Sequence, residues 1–421
     1  MRGDSILDRV DWAAIALYFA MVLLGWSSIY AAVYDEENAS NLISLAYNPG
    51  KQLIWIGTAM IIIVAIMSLD FKFYDYSAYI IYGVVLVLLI AVLTTGTIVA
   101  GSKSWFQIGS FRLQPAEFAK FATALTLAKY LGDIHVKFEQ VKTQLIALAI
   151  FGVPMLLVLM QGDAGSAMVF GSFVIVLFRE GISPIYFILG IGFIILFILT
   201  LLVSKTVIFI ITIIICVIAI GVSFKHPKRI IATIVLGAMV FATVISVDFL
   251  MTNVLKPHQR SRVISLVNPD ADPLGAGWNV TQSKIAIGSG GFFGKGFLEG
   301  TQTKFDFVPE QSTDFIFCTI GEEQGWMGSL VLVALFVALL IRISVIAERQ
   351  KSKFARIYGY GVLSVFFFHF AVNIAMTIGF FPVIGIPLPF FSYGGSSLWS
   401  FTILLFILIK LDSHRMQILM R

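Results

Sequence analysis

One stretch of the 421-residue chain gathers residue types that could carry out acid–base chemistry. Asp272 stands directly before Pro273 in a segment rich in glycine and aromatic residues. An aspartate before a proline is first of all a turn signal. The same carboxylate could act as a general base on a hydroxyl group within hydrogen-bond reach. The polar and cationic residues that follow favour this second interpretation: Gln282, Ser283, Lys284, Lys295 and Gln302.

The glycine-rich run Gly288–Gly296 invites a nucleotide-binding interpretation, and the spacing does not support it. The pattern GxxxxGK[ST] would need Gly at Ser289 and Ser or Thr at Gly296, and the pattern GxGxxG would need Gly at Phe293. Backbone N–H groups of the run could still cradle a phosphate. The sequence favours a tightly turning loop.

A second candidate group lies at the start of an apolar run and consists of Gln114, Glu117 and Lys120. The spacing of Glu117 and Lys120 fits a local ion pair on a helix. Ionisable groups in a membrane helix are costly and mark functional sites when they face the bundle interior, so a binding role is the competing interpretation. Asp163, between two apolar runs, leaves the same alternatives open.

The third candidate is the segment Pro382–Ser397, which contains three prolines and three glycines. It cannot form a regular helix, because proline removes a backbone donor and clashes with the preceding turn. Irregular backbone at membrane depth is tolerated only where it is buried in protein or lines a polar cavity. We therefore expect this segment to wall a substrate groove, with Ser392 and Ser396 as binding candidates.

Four carboxylates close together in the sequence, Glu310, Asp314, Glu322 and Glu323, suggest a cation site. Carboxylate oxygens suit Mg²⁺, Mn²⁺ or Ca²⁺. A structural or helix-capping role is the favoured alternative. The five histidines show no zinc spacing, and the two cysteines form neither a CxxC pair nor a disulfide framework.

Composition determines which elements must position these groups. The chain is 58% hydrophobic and 13% charged, whereas soluble domains carry about 25% charged residues. Runs of about 20 apolar residues, the length that crosses the bilayer as a helix, recur along the chain. Phe118–Leu131 and Ala164–Phe178 are shorter, so their ends must be extended, tilted or partly re-entrant. The sequence therefore predicts an all-α, polytopic transmembrane helical bundle of about 12 spans. They are Trp12–Val33, Leu53–Leu69, Tyr76–Thr94, Phe118–Leu131, Gln144–Met160, Ala164–Phe178, Ser183–Val203, Val207–Phe224, Ile230–Met251, Phe315–Ile341, Tyr358–Ile378 and Leu398–Leu411.

Lysine and arginine concentrate in alternate connections between these runs, and this bias predicts the orientation. Both termini are expected in the cytoplasm, with three long segments on the outer side: Thr95–Glu117, Thr252–Asp314 and Phe380–Ser397. The same bias accounts for the net charge of +5, so nucleic-acid binding is not expected. The second outer segment is rich in aromatic residues, and we expect it to fold back onto the bundle.

These segments together resemble one family, the shape, elongation, division and sporulation (SEDS) proteins. Within it, Gly300–Gln302 and Thr313–Phe315 are more similar to the RodA-like elongation branch than to the division branch. The motifs occur in the family's order: Gln114–Lys120, Gln259–Val263, Asp272–Gly277, Gln282–Gly296, Gly300–Gln302, Phe307–Glu310, Thr313–Phe317 and Pro382–Ser397.

The resemblance implies a peptidoglycan glycosyltransferase of the bacterial inner membrane that polymerises lipid II for cell elongation, with inversion at the anomeric carbon. Asp272 matches the family's loop aspartate and would take the proton from the acceptor 4-hydroxyl. A cation should stabilise the pyrophosphate leaving group. No cofactor is certain, and a divalent cation (Mg²⁺ or Mn²⁺) is one alternative to a basic side chain. The basic candidates are Arg260, Arg262, Lys284, Lys295 and Lys120.

Family members usually have ten spans, so the resemblance implies that residues 183–228 form an additional transmembrane hairpin. Residues 1–421 would be one integral-membrane domain, with residues 252–314 as its outer catalytic loop. The implied partners are lipid II, the nascent glycan, a single-span class B penicillin-binding protein and other membrane proteins of the elongation complex. Two other functions stay open: a lipid II flippase, which the buried charges would also suit, and a non-catalytic scaffold of a cell-wall complex.

Overall fold

The computed structural model describes residues 10–34, 43–99, 101–109, 111–254, 260–264, 276–305 and 307–415. The chain divides into two compact units. The first combines Met1–Ile182 with Asn279–Arg421, and the second is Ser183–Trp278. Both are built mainly from helices, which confirms the predicted helical-bundle class.

The described helices follow the apolar runs of the sequence. In chain order they are α1 (Trp12–Ala32), α2 (Asn48–Ser68), α3 (Phe71–Thr95), α4 (Pro115–Gly132), α5 (Val141–Met160), α6 (Ala164–Gly171), α7 (Val174–Arg179), α8 (Pro184–Leu202), α9 (Lys205–Val222), α10 (Pro227–Phe249), α11 (Ala276–Ser289), α12 (Thr301–Lys304), α13 (Ile316–Glu323), α14 (Gly325–Glu348), α15 (Lys353–Thr377) and α16 (Gly395–Ser413).

Ten helices within the described ranges are long and apolar enough to cross a membrane: α1, α2, α3, α5, α8, α9, α10, α14, α15 and α16. Two predicted spans do not meet that standard. Helix α4 contains three charged residues, Glu117, Lys120 and Lys129. The apolar stretch Ala164–Arg179 is shorter than the ten spans and is divided between α6 and α7.

The predicted single span Phe315–Ile341 is wrong as one helix. Helix α13 ends at Glu323 and α14 begins at Gly325. Gly325 has a φ of 66°, a left-handed conformation that glycine adopts without steric cost. This break turns Glu322 and Glu323 toward the preceding loop.

A small antiparallel sheet, which the sequence did not predict, fills most of the segment between α3 and α4. Its strands are β1 (Thr97–Val99), β2 (Ser102–Ile108) and β3 (Phe111–Leu113), in the order β1-β2-β3. Phe106 of β2 pairs with Leu113 of β3. The last strand thus leads directly into Gln114, the residue before α4.

The second unit contains α8, α9 and α10, and α10 continues as a π-helix over Leu250–Val254. Lys205 at the start of α9 forms an ion pair with Asp248 near the end of α10, with 2.6 Å between Nζ and Oδ1. Phe209 and Phe241 stack with 4.5 Å between ring centroids. Helices α8 and α9 cover the predicted hairpin of residues 183–228; its status as an addition to the family core stays a prediction.

In the first unit, one end of the bundle is held by two buried carboxylates and two partly exposed arginines, which we call the Asp11 cluster: Asp11, Asp412, Arg342 and Arg349. Asp11 caps α1 by accepting the N–H of Ala14 at 3.0 Å. Arg349 donates to Asp11 at 2.6 Å and to Asp412 at 2.8 Å. The start of α1 and the end of α16 therefore lie at the same end of the bundle.

Candidate functional site

Helix α4 places the second candidate group at the opposite end of the bundle from the Asp11 cluster. It begins at Pro115, a residue suited to the first helical position because its missing N–H is not needed there. Glu117 then falls in the first turn and Lys120 one turn later. Both side chains point into the protein, with exposures of 3% and 0%.

Glu117 and Lys120 form the ion pair that their spacing suggests, with 2.7 Å between Oε2 and Nζ. The Lys120 ammonium also lies 3.0 Å from Nε2 of His369 on α15 and 4.8 Å from the centroid of the Phe401 ring on α16. A buried charge pair needs such further polar partners, because its desolvation is costly. Lys120 is therefore enclosed by three helices.

Gln114 extends this polar group toward α6. Its side-chain amide donates to Asp163 Oδ2 at 2.8 Å and to Ser166 Oγ at 3.3 Å. Asp163 also caps α6 through Oδ1, which accepts the N–H of Ser166 at 3.0 Å. The backbone N–H of Gln114 donates to Ser396 Oγ at 3.1 Å. We call Gln114, Glu117, Lys120, Asp163 and His369 the Lys120 cluster.

The segment between α15 and α16 is irregular and largely buried, as its prolines predict. Asn373 of α15 donates to the carbonyl of Ile386 and to that of Asp314, both at 2.8 Å. Ser392 Oγ accepts the N–H of Leu388 at 2.8 Å. These contacts fix the segment to α15 and to the stretch that precedes α13, and Ser392 serves the segment's own fold.

The break between α13 and α14 creates a second polar centre around Glu322, which is fully buried. Its Oε1 accepts from Lys295 Nζ at 2.6 Å and from the backbone N–H groups of Thr301 and Gln302 at 2.8 Å. Its Oε2 accepts the N–H of Thr303 at 3.0 Å. Glu322 thus caps the start of α12, in line with the structural role favoured for these carboxylates.

The two neighbouring glutamates differ in their acidity. Burial alone would raise the pKa of Glu322, but the hydrogen bonds from Lys295 and from the backbone of Gln302 and Thr303 bring it below its usual value. Burial raises the pKa of Glu323 to about 7, against a single N–H donor from Leu298. Near neutral pH, Glu322 is ionised and Glu323 is partly protonated.

Two glycines of the Gly288–Gly296 run, Gly290 and Gly294, are required by close packing against the end of α13. A Cβ atom at Gly290 would lie 2.0 Å from the carbonyl oxygen of Gly321, and one at Gly294 would lie 2.1 Å from that of Glu323. The N–H groups of Lys295 and Gly296 donate to the carbonyls of Glu322 and Glu323, both at 3.0 Å. The run is a tight loop, as the sequence favoured.

Helix α11 carries three of the remaining candidates. Ser283 is fully buried and donates to the carbonyl of Thr377, at the end of α15, at 3.0 Å. Gln282 is buried and Lys284 is exposed. The Lys284 side chain passes beside Gly379, where a Cβ atom would lie 2.5 Å from Cε. Helix α11 is therefore seated on the end of α15.

The structure brings the predicted site residues together in part. Gln114, Glu117, Lys120 and Ser396 are in one group, and Lys295 and Gln302 meet at Glu322. Asp272 lies outside the described residues, and Arg260 and Arg262 belong to the second unit. Within the described ranges, no group of three or more His, Cys, Asp or Glu side chains could hold a metal ion. A cation near Asp272 stays a prediction.

Two contributors to the Lys120 cluster were not among the predicted site residues. His369 was set aside because it lacks metal-ligand spacing, although an ionisable residue in an otherwise apolar helix was a usable signal. Ser400 donates to the carbonyl of Glu117 at 2.5 Å. A serine on an apolar helix carries no distinctive signal in the sequence.

Comparison with known proteins identifies the family. The family model described as "Cell cycle protein", for FtsW, RodA and SpoVE, matches residues 9–207 and 194–417. The chain belongs to this family. The predicted SEDS membership is thereby confirmed, and as a SEDS protein with ten apolar helices in its described ranges the chain is a multi-pass inner-membrane protein.

Curated relatives align with most or all of the SEDS chain. It is 33% identical to the peptidoglycan glycosyltransferase RodA of Treponema pallidum, over 99% of this chain and 100% of that protein. It is 34% identical to the peptidoglycan glycosyltransferase MrdB of Escherichia coli, over 86% of this chain and 84% of that protein. The RodA-like branch that the motifs indicated is therefore represented among its relatives.

Two solved structures share the SEDS fold. One is a chain described under "Structural coordination of polymerization and crosslinking by a peptidoglycan synthase complex", with a TM-score of 0.70, 25% identity, and coverage of 97% of this chain and 99% of that chain. The other is the rod shape determining protein RodA of Thermus thermophilus, with a TM-score of 0.62, 23% identity, and coverage of 97% and 98%.

Proposed function

We propose that this SEDS protein is a peptidoglycan glycosyltransferase that polymerises lipid II into glycan strands for cell elongation. The observation that carries the proposal is the similarity to RodA over 99% of this chain and to MrdB over 86%, both of which are named peptidoglycan glycosyltransferases. The polar Lys120 cluster also supports a functional site in this bundle, because ionisable side chains buried among membrane helices are costly and mark functional sites. In this proposal the helices receive the polyprenyl chain and the loops receive the sugars.

Asp272 acts as the general base in this proposal. The 4-hydroxyl oxygen of the acceptor attacks the anomeric carbon of the growing glycan, and its proton passes to the Asp272 carboxylate. The carbon–oxygen bond to the undecaprenyl pyrophosphate breaks on the opposite face, so the configuration inverts. Asp272 immediately precedes the part of the loop that leads into α11, which is seated on α15.

A cation must stabilise the pyrophosphate as it leaves. Lys120 already pairs with Glu117 and contacts His369, and Lys295 is held by Glu322. Lys284 and Arg260 are exposed. We therefore favour these exposed cations over Lys120 and Lys295, which are already paired with carboxylates, with Mg²⁺ or Mn²⁺ as the alternative.

The topology has both termini in the cytoplasm and residues 252–314 outside. One contact supports this topology. Arg349 binds both Asp11, which precedes the first span, and Asp412, which lies at the end of the last span. Both termini then share one side, and the positive-inside bias of the connections makes it the cytoplasm. The transpeptidase partner would be a single-span class B penicillin-binding protein.

The test uses the purified chain with its transpeptidase partner in lipid nanodiscs, supplied with lipid II. We expect glycan strands on a gel from the natural sequence, and a loss of at least about 100-fold from Asp272→Asn, the range typical for removal of a general base. Asp270→Asn is the matched control, two residues away in the same loop, and should polymerise normally. Normal polymerisation by Asp272→Asn would refute the assigned base.

The flippase alternative is separated by a second readout. The same chain in vesicles is assayed for transfer of fluorescent lipid II between leaflets. A flippase would move the lipid equally well in the natural chain and in the Asp272→Asn variant, and would form no strands. Strand formation that depends on the Asp272 carboxylate supports the polymerase, and growth supported by Asp272→Asn would support a scaffold.

A further inference from the structure

His369 occupies an unusual place for a histidine. It lies in the second half of α15, an apolar helix long enough to span the membrane, and it is fully buried. Nε2 lies 3.0 Å from Lys120 Nζ, and Nδ1 lies 3.0 Å from the carbonyl oxygen of Pro387. The ring meets Phe401 edge-on, with 4.8 Å between centroids. Both ring nitrogens therefore have a partner.

The two partners determine the state of the ring. The Lys120 ammonium can only donate, so Nε2 must accept and carries no proton. The Pro387 carbonyl can only accept, so Nδ1 must carry the proton and donate. The ring is the neutral Nδ1–H form, and it joins a charged side chain of α4 to the backbone of the irregular segment between α15 and α16.

This contact reaches the rest of the proposed site through the same segment. One turn after His369, Asn373 binds the carbonyls of Ile386 and Asp314. Ser392 donates to the carbonyl of Thr313 at 2.5 Å. The segment is thus attached on one side to α4 and on the other to the stretch of residues 307–315, which ends the outer loop that contains the proposed base.

We propose that His369 is a positioning residue for glycosyl transfer. Its ring bridges Lys120 and Pro387 and so fixes the position of the irregular segment relative to α4. The inference rests on the proposed function for its catalytic consequence. The existence of the bridge does not depend on the proposed function, because it concerns only the contacts of the His369 ring with Lys120 and Pro387.

The bridge is tested first by spectroscopy on the full chain in nanodiscs, with histidines labelled with ¹⁵N. His369→Gln identifies the His369 signals. We expect a protonated Nδ1 and an unprotonated Nε2, and we expect the Nε2 signal to shift in the charge-neutral double variant Glu117→Gln, Lys120→Met, which removes its donor. A protonated Nε2, or no response to the double variant, would overturn the bridge.

The positioning role is tested by lipid II polymerisation per folded molecule. His369→Leu removes both contacts, and we expect turnover to fall about tenfold or more, since small misplacements of reacting groups cost large factors in rate. His369→Gln keeps an acceptor for Lys120 and should recover most of that loss. Ser364→Ala is the matched control, because Ser364 is equally buried in α15 and its hydroxyl donates only within that helix, to Gly361.

Full turnover by His369→Leu, or a loss in His369→Gln as large as that in His369→Leu, would overturn the positioning role. If the natural chain forms no glycan strands, the proposed function fails instead, and the labelled spectra still decide whether the bridge exists.

Discussion

The Asp11 cluster and the Lys120 cluster are two groups of charged side chains at opposite ends of one bundle, and they are built differently. In the first, Arg342 and Arg349 hold two carboxylates, Asp11 and Asp412, in contacts between regular helices. In the second, one ion pair is extended through neutral partners to irregular backbone. We infer that the first end secures the bundle and the second serves the reaction.

The largest change in stability is expected at the Asp11 cluster. Arg349→Met leaves two fully buried carboxylates short of donors, so the free energy of unfolding should fall by about 3–5 kcal/mol. The measurement is unfolding in detergent, and polymerisation by the folded fraction should be unchanged. Arg179→Met is the control, because its ion pair with Glu348 is exposed (42% and 48%) and contributes at most about 1 kcal/mol.

If Arg349→Met abolished polymerisation in protein that remained folded, the division of roles between the two ends would be wrong.

Glu323 differs from the carboxylates of both clusters, because it is buried and no cation among the described residues compensates its burial. Its pKa is about 7 in the folded protein and 4.5 in its unperturbed state. The folded form therefore binds the proton more tightly, and stability falls as the pH rises from about 4.5 to about 7, by roughly 3 kcal/mol at most. Glu323→Gln should remove this fall, so that the variant gains stability relative to the natural chain as the pH rises above about 4.5, and the difference is complete above about pH 7.

Unfolding in detergent at pH 5 and pH 8 measures this difference. If the difference in free energy of unfolding between Glu323→Gln and the natural chain did not change with pH, the pKa assigned to Glu323 would be wrong. Glu322→Gln is the matched neighbour: it loses contacts of an ionised carboxylate and should destabilise at both pH values.

The smallest expected effect concerns the packing of α6 against the irregular segment. A Cβ atom at Gly165 would lie 2.3 Å from the carbonyl oxygen of Ile384, whereas Gly171 in the same helix has nothing within 4 Å. Gly165→Ala should destabilise by about 1–3 kcal/mol through overpacking. Gly171→Ala should be neutral or stabilise by up to about 1 kcal/mol. Thermal unfolding of the two variants measures both changes in stability. Equal changes would show that the close approach of Gly165 to Ile384 does not affect stability.

Most of the bundle could be predicted from the sequence, because each span is set by its own apolar run. The starts of α4 and α16 lie within a few residues of the predicted ones. The break at Gly325 was missed, although Glu322 and Glu323 interrupt the apolar sequence there, because the left-handed turn depends on packing against Gly291 and Gly294. The strands before α4 were missed because β1 and β3 have only three residues each, and the seven residues of β2 do not alternate between apolar and polar types.

The candidate site was predictable only where its chemistry is local. The pair Glu117 and Lys120 could be read from spacing alone. The contacts of His369 with Lys120 and of Glu322 with Thr301 join residues far apart in the chain, and no single-sequence pattern encodes them. The proposed base, Asp272, stays a prediction from resemblance.

The most direct test of the difference between the two ends compares two proteins in nanodiscs, the double variant Glu117→Gln, Lys120→Met and the variant Arg349→Met. The quantity measured is the rate of lipid II polymerisation per folded molecule. The double variant leaves no buried charge unpaired, so its stability should be close to that of the natural chain. We predict that its rate falls about 100-fold, because the link between α4 and the irregular segment is lost. A double variant that polymerises at the natural rate would contradict the account.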